Sequence, residues 1–363
     1  MSVSIKDIAR AAGVSHPTVS RALANSPLVQ KETRARIQAL AQEMGYSPDL
    51  QARALVSGRT YTLGVVVTSV ADPFVAEVVQ GIEDAAHGAG YSVILASSHN
   101  TPSREIEAVE LLRAKRVDLV LVLSSRLGAL YLERLGRIGA PVVLINSHSE
   151  DRGPYTFSVA VDNRYGGYLA TKHLLDLGHR RIAYVTGQPR HSDNQERLAG
   201  YRQALEEAEV RFEPALIVPG DGDITGGQHA LSSLLESAPP ASAVFCYNDR
   251  TAIGLIHAAS RAGLRLPQDL AVVGFDDIPF AAFIEPALTT VAQPMRALGE
   301  HAVKMGLALL ANRGGEEAVP ASNVVLRGWL VVRASCGATA GGSSAFRPGC
   351  GDTTAATAPD RAQ

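Results

Sequence analysis

The sequence predicts a small all-α head followed by an α/β body built from two doubly wound units. Three observations carry that prediction. Residues 1–48 hold short helical patterns and no strand-like run. Residues 61–333 alternate continuous apolar runs of strand length with helical patterns, as in a parallel sheet covered on both faces. The alternation restarts at about residue 164, so a second α/β unit follows the first.

In the head, Ile5, Ile8, Ala9 and Ala12 fall on one helix face, and Gly13 supplies the left-handed turn that ends the helix. Val14 plugs the small core from that turn. Ser15 is a good N-cap, and Pro17 is tolerated because a first-turn N–H has no helical partner. The second helix buries Val19 and Leu23 and turns His16, Thr18, Ser20 and Arg21 outward. A third helix runs from Lys31 to Met44 on an Ile37, Leu40, Ala41, Met44 stripe, with Gly45 after it. Its Lys31, Arg34 and Arg36 are placed to meet phosphates. Two short helices joined by a tight glycine turn make a helix-turn-helix, whose second helix enters the major groove of DNA.

Residues 49–60 read as a polar, alanine-containing bridge. The first α/β unit opens with the β-branched run at Leu63 and continues with helix 74–87, strand 91–96, helix 103–115, strand 118–123, helix 127–138 and strand 142–145. The second comprises helix 164–177, strand 181–186, helix 194–208, strand 216–218, helix 225–235, strand 243–247, helix 250–262 and strand 270–275. The last segments, 289–293, helix 295–311 and strand 323–332, are too few for a third domain and should return to complete the two sheets. The boundaries are therefore 1–48, 49–60, 61–333 and a tail at 334–363. The body divides into 61–160 plus 291–322 and 161–290 plus 323–333. The tail is rich in Ala, Gly, Ser and Thr and should be disordered.

Charge is divided between head and body. The chain has 363 residues and a formal net charge of −2. Residues 1–60 hold eight basic and four acidic residues, a balance of +4, which leaves −6 for the rest. A basic head on an acidic body fits a chain with two jobs. The three cysteines, Cys246, Cys336 and Cys350, form no disulfide framework or C-x-x-C pair. The N-terminus lacks an apolar secretory core, and no apolar run approaches the ~18–20 residues of a membrane span. These features place the chain in the cytoplasm, without a membrane partner. Histidines 99, 148, 191 and 229 show no metal-ligand spacing, and no catalytic serine elbow or phosphate-cradling glycine loop is present. No metal, cofactor or catalytic residue is expected.

The head string from Ile5 to Leu23, together with Gly45-Tyr-Ser-Pro-Asp-Leu-Gln-Ala-Arg-Ala-Leu, resembles the bacterial lactose/galactose/purine repressor family. The resemblance continues through Asp72-Pro-Phe, Val161-Asp-Asn-Arg-Tyr-Gly-Gly, Leu177-Gly-His-Arg-Arg-Ile-Ala, Arg197-Leu-Ala-Gly-Tyr, Asn248-Asp, Val272-Val-Gly-Phe-Asp-Asp and Leu288-Thr-Thr-Val-Ala-Gln-Pro. It covers essentially residues 3–333.

The resemblance implies a body like that of periplasmic binding proteins and a dimer on a near-palindromic operator in double-stranded DNA. His16, Pro17 and Arg21 match base-reading places, and Thr18, Ser20 and Asn25 match phosphate-holding places. Pro17 departs from the usual polar residue and offers only apolar contact. Leu55 matches a minor-groove wedge that bends the duplex, with Ala52 and Arg53 beside it. Gln30 stands where a Ser or Thr cap is usual. In the body, Phe74, Asn146, Arg197, Asn248, Asp276 and Gln293 match effector-binding positions. Asn146 replaces a common Asp. Gly222 occupies a place where several members stack an aromatic ring on the ligand, so planar purine stacking is less favoured. The effector implied is a sugar, sugar acid or similar metabolite. The family's tetramers need a C-terminal leucine heptad, which this tail lacks, so a homodimer is expected.

Two other readings compete. A solute-binding transport component is disfavoured by the basic head and the missing signal peptide. A sugar- or nucleotide-processing α/β enzyme is disfavoured because no catalytic constellation supports it.

Overall fold

The computed structural model describes residues 3–23, 25–46, 58–125, 140–146, 157–189, 191–237, 239–312 and 323–338. Ala52, Arg53, Leu55, the helix expected at 127–138 and residues 339–363 lie outside the described residues. The chain divides into two compact units, Met1–Thr60 and Tyr61–Gln363.

The first unit is three short helices, α1 (Ile5–Ala12), α2 (His16–Leu23) and α3 (Lys31–Glu43). Ser4 caps α1 in a reciprocal box with Asp7, and Gly13 ends it in the left-handed conformation (φ 65°). Ile8, Val19, Ala22, Val29 and Ile37 make the core. Leu23, expected to be buried, is only partly covered; Ala22 fills that place instead. Gln30 precedes α3 without a side-chain capping bond. Arg34 and Arg36 donate to the backbone carbonyls of Asn25 and Ala12, tying α3 to the other helices.

The second unit holds two six-stranded sheets. The first contains β1 (Thr62–Val67), β2 (Ser92–Ser97), β3 (Leu119–Leu123), β4 (Val142–Ile145), β5 (Phe157–Val161) and β11 (Asn323–Leu326). Its order is β11-β5-β4-β3-β1-β2, parallel throughout. The second contains β6 (Ile182–Thr186), β7 (Ile217–Pro219), β8 (Ala243–Cys246), β9 (Ala271–Asp276), β10 (Thr289–Ala292) and β12 (Trp329–Val331). Its order is β12-β10-β9-β8-β6-β7, and only β12 is antiparallel to its neighbour. The described helices of this unit are α4 (Pro73–Gly88), α5 (Pro102–Ala114), α6 (Asn163–Asp176), α7 (Ser192–Glu207), α8 (Ile224–Glu236), α9 (Asp249–Arg261) and α10 (Met295–Ala311). Strands such as Leu119-Val-Leu-Val-Leu are buried along their whole length, as strands covered on both faces must be. Cys246 lies fully inside this core. Among the described residues, no helix is long and apolar enough to cross a membrane.

Three sequence expectations differ from the structure. Strand β5 was not anticipated, although Phe157-Ser-Val-Ala-Val has strand composition; it lies beside β4 and extends the first sheet. The segment 323–332 is two strands, not one. Asn323–Leu326 pairs with β5 and Trp329–Val331 with β10, so the chain changes lobe between them. Gly328 permits this, because a Cβ there would stand 2.6 Å from the Ala292 carbonyl oxygen. Finally, residues 334–336, assigned to the tail, form a 3-10 turn buried against the second sheet. The Ser335 hydroxyl donates to the Val272 carbonyl and accepts from the Thr289 N–H, while the Cys336 thiol sits 3.1 Å from the Thr289 hydroxyl. Two small polar residues can fill a buried corner when the backbone around them offers partners.

Candidate functional site

Two sets of residues carry candidate chemistry. In the first unit, His16, Pro17, Ser20 and Arg21 are exposed along α2 and Thr18 is partly covered. The Ser15 and Thr18 hydroxyls bond each other at 2.8 Å, which fixes the first turn. Asn25 follows α2 in a left-handed conformation (φ 56°), and its side-chain oxygen accepts from Gln38 at 2.8 Å. Asn25 therefore also has a structural task. Arg21 is exposed in the last turn of α2.

In the second unit, the six body residues singled out by sequence come together in one open cleft. They arrive from the carboxyl ends of strands, where parallel sheets build their sites. Asn146 follows β4, Asn248 follows β8, Asp276 ends β9 and Gln293 follows β10. Phe74 stands in the first turn of α4 and Arg197 in the second turn of α7.

Arg197 is the centre of this cleft. Its guanidinium is 2% exposed and lies 3.7 Å from the Phe275 ring centre and 4.6 Å from that of Tyr247. Nε donates to Asn163 Oδ1 at 2.9 Å and Nη1 to the Tyr247 carbonyl at 2.6 Å. Asp276 Oδ1 stands 3.9 Å away. Burial works against the guanidinium charge, but Tyr247, Asp276 and Asp193 together outweigh it. Burial also pushes the Asp276 carboxyl well above the usual carboxylate range, against the pull of Arg197. Asp276 has φ 121°, a strained conformation for a side-chain-bearing residue, and its carboxylate accepts from Gln293 Nε2 at 2.6 Å.

Asn248 does structural work. It caps α9 by accepting from the Thr251 N–H and hydroxyl, and its amide donates to the Gly222 carbonyl. By contrast, Asn146 Oδ1 and Gln293 Oε1 are buried oxygens with no hydrogen-bond partner among the described residues. Buried acceptors in native folds are normally satisfied, so these two oxygens are places in the cleft where a further donor fits.

The family model for bacterial regulatory proteins of the lacI family matches residues 4–49, and the model for a periplasmic binding protein-like domain matches residues 171–336. The HTH-type transcriptional repressor PurR of Proteus mirabilis is 36% identical over 311 residues, spanning 85% of this chain and 91% of that protein. The chain belongs to the lacI family. Among solved structures, the lac repressor dimer bound to operator and an anti-inducer superposes with a TM-score of 0.81 at 27% identity, covering 92% of this chain and 99% of that one. A complex of the transcriptional regulator CelR with cellobiose gives 0.68 at 32% identity over the same shares. This lacI-family protein is a ligand-responsive transcriptional regulator with a helix-turn-helix head and a binding-protein-like body.

Sequence reasoning missed two parts of the lacI-family cleft, the Tyr247 wall and the bridge from Asp72 to Arg250. Tyr247 lines it, and its hydroxyl donates to Asp193 Oδ2 at 2.5 Å. Gly222 faces that ring: a Cβ there would meet Tyr247 Cε1 at 3.1 Å. The cleft thus has an aromatic wall from the end of β8 where the loop at 222 supplies none. Asp72 caps α4 through the Phe74 N–H and also pairs with Arg250 at 2.9 Å, bridging the two lobes across the cleft. The N-cap signal at Asp72 was legible; its ion pair with a residue 178 positions away was not.

Proposed function

We propose that the protein represses transcription as a cytoplasmic homodimer on a near-palindromic operator, and that a small sugar-like metabolite in the body cleft controls its affinity for DNA. The observation that carries this reading is the pair of unmet buried oxygens, Asn146 Oδ1 and Gln293 Oε1, in a polar cleft on a chain with a helix-turn-helix head. Phe74, Asn146, Arg197, Asn248, Asp276 and Gln293 would line the ligand. His16, Pro17 and Arg21 would meet base edges, Thr18, Ser20 and Asn25 phosphates, and Leu55, Ala52 and Arg53 the minor groove. A sugar, sugar acid or similar metabolite fits a polar cleft of this kind, and the cellobiose complex of a relative supports the class.

The lobes are joined where the chain leaves β5, β10 and β11. A ligand that bridges them would bias their angle and, through the bridge at 49–60, the affinity for operator. Effector and operator are then coupled reciprocally, by ~1–3 kcal/mol. A homodimer is supported by exposed apolar residues of the body, among them Phe280 at 59% and Phe283 at 86% exposure.

The deciding experiment selects DNA from a random pool with the full chain, then titrates salt and candidate metabolites in a gel shift. Selective binding that weakens steeply with salt and shifts with a bound metabolite is expected. Absence of any sequence-selective binding overturns the reading.

A further inference from the structure

We infer that Asp72 and Arg250 are positioning residues: their ion pair latches the two lobes together on the side away from the crossing strands and so sets the resting lobe angle. This rests on the lobe angle controlling operator affinity, as proposed above, and names two side chains that set it.

The chain passes between the lobes after β5, after β10 and between β11 and β12. In the first sheet β5 and β11 are neighbours at one edge, and in the second β10 and β12 are, so these crossings share one side of the body. Asp72 follows β1, three strands along from β5, and Arg250 follows β8, two strands along from β10. At the ~4.8 Å spacing of neighbouring strands, the pair stands roughly 10–14 Å to the side of the crossings. A hinge along one edge leaves the opposite side to swing, and a bond placed there acts through a lever.

Neither helix by itself accounts for the pair. Arg250 is the second residue of α9, where the helix dipole presents its positive end and disfavours a cation. Asp72 is the N-cap of α4; its Oδ1 accepts from the Phe74 N–H and its Oδ2 from Arg250 Nη1 at 2.9 Å. Both α4 and α9 begin at the cleft, so the positive ends of two helices meet there. The Asp72 carboxylate lies between them, capping one helix and holding the cation carried by the other. The side chains are 21% and 32% exposed, so the tie is weak enough for lobe motion to break and is open to screening by salt.

The test is a spin-label distance measurement on the full chain. Cys246 and Cys336 are buried, and Cys350→Ser removes the tail thiol. Labels are attached through Ser103→Cys and Thr225→Cys. These exposed residues lie in the first turns of α5 and α8, which follow the far-edge strands β2 and β7, where a lobe swing is largest. Labelled protein is diluted into unlabelled chain, so that distances come from within one protomer. Arg250→Gln should lower the ratio of short to long distances by about two- to fivefold. Asp72→Ser keeps a capping oxygen for Phe74 but no charge; it should do the same, and the double variant no more than either. Arg250→Lys, which keeps the charge, should stay near the native ratio. Raising salt from about 0.05 M to about 1 M should reproduce the shift in the native chain and leave the double variant unmoved. Arg296→Gln, which breaks the pair with Glu77 inside the first lobe, should change nothing.

Distances that are the same in the native chain and both single variants overturn the inference, as do single effects that add in the double variant. A gel shift without added metabolite, on operator recovered by selection, separates the two readings. Altered distances with unchanged operator affinity leave the latch standing and defeat control of DNA by the lobe angle. Unaltered distances beside selective DNA binding defeat the latch alone.

Discussion

Asp249 sits in the core directly behind the cleft-lining Asn248, fully buried. Oδ1 accepts from the Thr290 hydroxyl at 2.6 Å and Oδ2 from the Ile278 N–H at 2.9 Å. Gly274 leaves it room, since a Cβ there would lie 2.3 Å from Oδ1. Burial, joined by the charge of Asp277, pushes this carboxyl from its ordinary 3.8 up to about 7, and hydrogen bonds from Thr290 and from the Ile278 and Asp277 backbone only partly oppose that. The folded protein therefore keeps a proton that the unfolded chain releases. Its stabilising effect is complete below about pH 4 and is lost as pH rises toward 7. Urea unfolding of the native protein and of Asp249→Asn should show it. The stability difference between them should fall by about 1 kcal/mol per pH unit across that window. A difference independent of pH would mean that the carboxyl is ionised throughout. Nothing in the sequence marks Asp249 for this role, because burial comes from strands more than twenty residues away.

At the scale of elements, helices pack here through paired glycines. A Cβ on Gly167 of α6 would stand 2.3 Å from the Arg197 carbonyl oxygen, and one on Gly200 of α7 would stand 2.0 Å from that of Arg164. Backbone meets backbone, so no rotamer change relieves the overlap. Gly167→Ala should cost about 1–3 kcal/mol of body stability by overpacking, more than the ~1 kcal/mol alanine gains in helix propensity. It should also weaken ligand binding, because the displaced backbone carries Arg197. An unchanged melting temperature would show that the two helices slide apart freely. In the head, Ile37 is fully buried at the meeting of three short helices. Ile37→Ala should cost ~2–5 kcal/mol, a large share of the stability of so small a unit. The head should become protease-sensitive and DNA binding should fail, while the body keeps its melting temperature. A protease-resistant head in the variant would refute that division. The boundaries of the described helices were legible to within a few residues, because apolar spacing and helix-ending residues such as Gly13 are local. The partner of each glycine was not.

For the whole molecule, the +4 head and −6 body assign DNA affinity to one unit. Deletion of residues 1–60 should abolish DNA binding and leave ligand-induced stabilisation intact, at ~2.7 kcal/mol for a ligand at 100 times its Kd. Retained DNA binding by the truncated chain would contradict the charge argument. Salt dependence should come from the basic residues of the head and bridge, doubled in a dimer, and hardly from the body. Light scattering should give the mass of a dimer; a tetramer would refute the homodimer proposed above.

By itself, the sequence determined the order of helices and apolar strands, the helix-turn-helix, and the six body residues that meet in the cleft. The first two follow from periodicity, caps and motifs, which act over a few residues; the six cleft residues were marked by the family resemblance. Tertiary structure decided that 323–332 splits between two sheets, that Ser335 and Cys336 are buried, and that Arg250 reaches Asp72. It also decided that Arg197 bonds Asn163 and the Tyr247 carbonyl while Asn146 and Gln293 keep oxygens unmet. Burial and hydrogen-bond satisfaction depend on what the folded chain brings from far away, and no local pattern encodes that.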